Sequence, residues 1–76
     1  MKQGEIYINE QKPSWRKHES KVFVITSIQT TKGFADIIWS DGSVDHVGRE
    51  WIEGDCKLIK RYHNWKKAVE SPWFIG

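Results

Sequence analysis

Residues 57–67 read KLIKRYHNWKK and carry Lys57, Lys60, Arg61, Lys66 and Lys67 with no acid among them. Tyr62, His63 and Trp65 interleave with these cations. Single-strand binders use such a mixture, because cations track phosphate and rings stack on bases. The nucleic-acid candidates are Lys57, Lys60, Arg61, His63, Lys66 and Lys67, with Trp15, Arg16 and Lys17 joining from a separate polar stretch. The same residues also have a structural reading: Tyr62 and Trp65 in the core, and the lysines as a solvated rim.

Other chemistry is less well supplied. His18, His46, Cys56 and His63 are the soft metal-ligand candidates, and no two stand at a C-x-x-C or H-x-x-x-H spacing. Cys56 follows Asp55, whose carboxylate opposes the thiolate needed for nucleophilic attack. Asp41, Asp45 and Asp55 could gather a divalent ion, but Asp41-Gly42 already reads as a turn. No phosphate-cradling glycine loop or nucleophile elbow is present. The expectation is a protein without catalytic residues, cofactor, metal or small-molecule substrate.

Composition narrows the class further. A chain of 76 residues makes one domain, and one this short buries about 60% of its unfolded surface. Cys56 is the lone cysteine, so no internal disulfide can compensate. Dense aromatic packing can, since each buried Trp removes roughly 150–250 Å² from water. Most of Trp15, Trp39, Trp51, Trp65 and Trp73 are therefore expected in the core or at its rim. No apolar run is long enough for a signal or membrane segment, and the unpaired cysteine fits a reducing cytosol, so a cytoplasmic protein is expected. Six acids against Arg49 leave residues 34–55 at −5, so the rest carries +7 of the net +2.

The elements that must position these residues are mostly strands. GEIYIN (4–9) alternates, and EQKPSWRKHES (10–20) reads as a loop. KVFVITSI, at the start of the 21–29 strand, is an unbroken apolar and β-branched run, which implies burial on both faces. TTKG turns the chain, with Gly33 free to take positive φ. Strands at 34–40 and 43–47 flank Asp41-Gly42, a strong hairpin signal. A two-residue loop would pair Trp39 with Val44 and Ile37 with His46, placing all four inward. GREWIEGD (48–55) suits one helical turn, and CKLIKRY (56–62) a fifth strand.

Asn64 suits the N-cap of a helix over 65–70 whose Trp65, Ala68 and Val69 share a face. Pro72 should stop that helix, because Ser71 before it is pushed out of the α region. Trp73 and Phe74 are expected to dock beside it.

The segment IIWSDGSVDHV followed by REWIEGDCKLI resembles the strand–tight turn–strand–single turn–strand order of SH3-like and Tudor-like small barrels. That resemblance covers residues 4–62 and implies a mainly β fold, a five-stranded SH3-like barrel with a short C-terminal helix. The ending NWKKAVESPWF is similar to the ends of small proteins from phages and prophages of Gram-positive bacteria. Neither resemblance assigns a functional residue.

Five Trp and two Tyr exceed what so small a core readily hides, and Trp, Tyr and Arg dominate interface hot spots. The favoured expectation is a non-enzymatic binding module that contacts another protein, host or self, through Trp15, Arg16 and Lys17. A phage-encoded modulator of a host factor would fit. The alternative is a nucleic-acid-binding module using the basic C-terminal segment and the 15–17 loop. Trp39 and Tyr62 could also form part of an aromatic cage for a methylated lysine.

Overall fold

A computed structural model of the protein describes residues 1–9, 21–29 and 31–75. Five strands form one antiparallel sheet: β1 (Glu5–Ile8), β2 (Val22–Gln29), β3 (Phe34–Trp39), β4 (Val44–Gly48) and β5 (Lys57–Arg61). Their spatial order is β4-β3-β2-β1-β5. Helix α1 (Arg49–Asp55) links β4 to β5, and α2 (Trp65–Val69) and α3 (Pro72–Ile75) follow. The mainly β class and the five strands match the sequence expectation. The closed barrel does not. β4 and β5 are the two edges, and no ladder joins them among the described residues.

Helices rather than edge pairing cover the sheet. On one face Phe23, Ile25, Ala35, Ile37, Trp39 and Val47 pack with Ile52 of α1. On the other, Ile6 and Val24 pack with Ala68 of α2 and Phe74 of α3. This double cover explains the unbroken apolar run in β2: Phe23 and Ile25 serve the first core, Val22 and Val24 the second. A bulge at Thr26 then shifts the parity, pairing Ser27 with Asp36 and Ile28 with Ala35. Ile28 thereby joins the α1-side core despite its even number.

The β3–β4 hairpin departs from the two-residue expectation. Trp39 N–H donates to Ser43 O at 2.8 Å, so three residues, Ser40, Asp41 and Gly42, make the connection. Gly42 takes φ 92°, the left-handed residue that such loops require. Register then pairs Ile38 with Val44, Ile37 with Asp45 and Ala35 with Val47. A one-residue slip moves every side chain to the opposite face. Val44 and His46, expected inside, are exposed, and Val47 takes the inward place.

At the C-terminus two expectations hold and one is corrected. Asn64 does cap α2, its Oδ1 accepting from Lys67 N–H at 3.0 Å. Helix α2 ends at Val69, before Pro72, as expected, and Pro72 then opens a further short helix, α3, where its fixed φ and missing N–H carry no penalty. Trp73 was expected to dock but stands 51% exposed, while its neighbour Phe74 is buried. Of the other tryptophans, Trp39 is buried, and Trp51 and Trp65 are half-buried against the two cores. Trp15 lies outside the described residues.

Candidate functional site

The basic segment is divided between an edge strand and a helix. Lys57, Lys60 and Arg61 lie on β5, His63 on the connection, and Lys66 and Lys67 on α2, and all six are exposed. The register of β1 with β5 pairs Ile8 with Lys57, Tyr7 with Leu58, Ile6 with Lys60 and Glu5 with Arg61. Ile59 is thus an extra, bulged residue. It brings Lys57 and Lys60 onto one face, although three positions separate them, and sets Leu58 and Arg61 on the other.

Arg61 is committed within the fold. Its Nε donates to Glu5 Oε2 at 3.1 Å. Glu5 Oε1 also accepts from Lys2 N–H at 2.9 Å and the Tyr7 hydroxyl at 3.0 Å. Burial pushes the Glu5 carboxyl up, but these three donors and the Met1 ammonium outweigh it and hold its pKa below the ordinary value. Burial, with the bond to Glu5, pushes the Tyr7 phenol up to about 12.

Lys60 has a different setting. Its Nζ lies 6.0 Å from the centroids of both Tyr62 and Trp73. Lys66 Nζ lies equally far from the Trp65 centroid. The packing therefore groups Lys60 with the exposed Trp73 ring; Ile75, also on α3, is 71% exposed. Leu58 adds a partly exposed apolar group on the opposite face of β5. Sequence reasoning missed Trp73 and Ile75 as surface residues. Their signal was the short spacing Pro-Trp-Phe-Ile, in which one turn of helix can bury only one of three large side chains.

His63 is held by its backbone: its carbonyl accepts from Gln3 Nε2 at 3.3 Å, and Gln3 Oε1 accepts from Trp65 N–H at 2.8 Å. Glu5, Ser27, Arg61, Tyr62 and His63 help line an open cleft of about 640 Å³ beside this clasp. Trp15, Arg16 and Lys17 lie outside the described residues, so the structure does not join them to the basic segment. The proposed cage of Trp39 and Tyr62 is overturned, because Trp39 is 1% exposed inside the α1-side core while Tyr62 packs on the other.

Three groups suited to chemistry lie among the described residues: Cys56, Asp41 and the Ser27–Asp36–His46 cluster. Burial pushes the Cys56 thiol up to about 11; the Asn9 amide bond to Sγ opposes this and the Asp55 charge adds to it. Asp41 caps its own turn by accepting from Ser43 N–H and Oγ. A Ser27–Asp36–His46 group exists on the solvent side of the sheet. There Ser27 Oγ donates to Asp36 at 2.6 Å, while His46 Nδ1 lies 3.4 Å from the other carboxylate oxygen. A nucleophile needs its hydroxyl directed at the imidazole, and this one is directed at the acid. The bond from Ser27, stronger than the slight burial, and those from Gln29 and His46 lower the Asp36 pKa. Its assembly depends on the Thr26 bulge and the slipped hairpin register, neither of which local sequence signals reveal.

Among the described residues, no three His, Cys, Asp or Glu side chains converge to hold a metal ion. None of the described helices is long and apolar enough to cross a membrane. Compared with protein-family models, curated proteins and solved structures, the chain matches none.

Proposed function

We propose that this protein is a non-enzymatic binding module whose partner is another protein. The observation that carries this reading is the exposure of Trp73 and Ile75, 51% and 71%, on a helix anchored by buried Phe74. Exposed apolar groups beside a cation make an amphipathic contact surface, and an aromatic anchor ringed by polar groups is the usual form of an interface hot spot. The antiparallel order β4-β3-β2-β1-β5 with α1 before the last strand supports an SH3-like or Tudor-like fold, left open. The similarity of NWKKAVESPWF to phage and prophage protein endings supports a phage-encoded modulator of a host factor acting in the cytoplasm. Trp15, Arg16 and Lys17 extend the proposed contact.

The test is capture of partners from a lysate of the source organism by the wild-type protein and by a folded Trp73→Ala, Ile75→Ser variant. A protein retained by the first and lost by the second supports the reading. Equal retention by both, or recovery only of nuclease-sensitive material, rejects it.

One observation favours nucleic acid as the second reading: Lys60 and the exposed Trp73 ring stand side by side, a cation next to a stacking surface. Against it, Glu5 neutralises Arg61, and the acidic 34–55 stretch repels phosphate. Binding of oligonucleotides that weakens steeply with salt would support this alternative.

A further inference from the structure

We infer that the protein associates with itself head to tail, Trp73 of one copy seating in a groove beside Phe34 of a second. This rests on the protein-binding reading and names the partner. Five large apolar side chains are exposed among the described residues, and they fall into two groups. Leu58, Trp73 and Ile75 lie on β5 and α3, whereas Phe34 and Val44 lie on β3 and β4. β4 and β5 are opposite edges of the sheet, four strand spacings or roughly 19 Å apart. The two groups therefore cannot cover each other within one molecule. Two molecules set edge to edge bring them together.

Shape and charge match one group to the other. Phe34, Gly48, Arg49, Glu50 and Glu53 help line an open groove of about 460 Å³. A Cβ at Gly48 would meet nothing within 4 Å, so an incoming ring has room beside Phe34, which is 43% exposed. Arg49 offers a cation to the face of that ring. Lys60, 6.0 Å from the Trp73 centroid, would arrive with the indole and meet Glu50 and Glu53. None of these three has an ion-pair partner among the described residues. At longer range residues 34–55 sum to −5, and to −4 when Lys32 is counted, against a positive remainder. Unlike halves of two copies therefore attract. A symmetric pair through Trp73 would instead set Lys60 of one copy against Lys60 of the other, and like charges repel.

The test follows the full-length protein by sedimentation velocity from micromolar to millimolar concentration. A head-to-tail contact can repeat from copy to copy, so the expected result is an apparent mass that rises with concentration. Trp73→Ala lacks the inserting ring, and Gly48→Leu fills the groove at a backbone φ of −66° that any residue adopts. Each variant alone should need at least about tenfold more protein than wild type to associate. Mixed one to one, they keep one intact half apiece and should form a complex that stops at two chains. In that mixture, labelled Trp73→Ala protein should show amide shifts at Phe34, Gly48 and Arg49. Phe34→Asp is a second groove variant with the same expected behaviour. Wild-type protein that stays monomeric at millimolar concentration overturns the inference. So does a mixture that stays monomeric, association unchanged in Trp73→Ala, or association lost on nuclease treatment. If self-association fails while Trp73→Ala, Ile75→Ser still abolishes capture from lysate, only this inference falls. If both fail, the binding-module reading falls with it.

Discussion

Arg61 Nε donates to Glu5 Oε2 at 3.1 Å, tying the edge strand β5 to β1 through a carboxylate that is only 8% exposed. The arginine itself is largely solvated, so the pair contributes less as a Coulombic bridge than as one of the donors that make burial of Glu5 tolerable.

A pH dependence follows from Glu5. Its folded pKa lies below the ordinary 4.5, so the folded state binds fewer protons than the unfolded chain over that interval. The resulting stability is complete above the unfolded value and declines as pH falls through the folded one. Glu5→Gln should flatten this acid-side decline in denaturation curves taken from neutral to strongly acidic pH. At neutral pH it should cost about 1–3 kcal/mol, because the donors lose a charged acceptor. An unchanged acid profile would place the titration elsewhere.

Of the described glycines, only Gly4 lies against another stretch of backbone. It has φ 91°, and a Cβ there would stand 2.6 Å from Tyr62 O. Its N–H donates to Ile25 O, and its carbonyl accepts from Tyr62 N–H. Gly4→Ala combines left-handed strain with a clash against backbone, and should cost at least about 2 kcal/mol in chemical denaturation. A neutral effect would mean that the N-terminus and the β5–α2 connection can separate freely.

Trp65 and Trp73 should separate cleanly by mutation. Trp→Ala in a full core costs about 3–5 kcal/mol, and half-buried Trp65 should lose roughly half of that. Trp73→Ala should stay within about 0.5 kcal/mol of wild type, as surface changes do. Thermal melts of the two variants check the contrast, and a larger loss at Trp73 would identify it as structural.

Lys66→Ala with Lys67→Ala should leave the domain folded within about 0.5 kcal/mol. Helix α2 has five residues, so its first and last turns overlap, and the helix dipole has little leverage on either lysine. Oligonucleotide titration of the same variant separates the readings: unchanged protein capture with lost oligonucleotide binding would favour the nucleic-acid alternative.

Local rules made several elements legible. The apolar run 21–28 implied burial on two faces, and two cores flank β2. Asn64 signalled a cap, and Trp65, Ala68 and Val69 signalled the inward face of α2. Pro72 signals the end of α2, because the residue before proline avoids the α region; the new turn that Pro72 itself starts is not legible locally. Phe74 N–H and Ile75 N–H both bond to Ser71 O.

The sequence by itself determined the strand count, the turn between β3 and β4, a helical segment before β5 (seven residues where one turn was expected) and the basic run along 57–67. These depend on residues within a few positions of one another, where backbone preference and side-chain period act directly. Tertiary structure decided the open sheet, the hairpin register, the exposure of Trp73 and the placing of Lys57 and Lys60 on one face. The hairpin register and the shared face of Lys57 and Lys60 each turn on a single extra residue, Gly42 in the loop or Ile59 in the ladder, and a strand's period of two magnifies that one residue into a change of face.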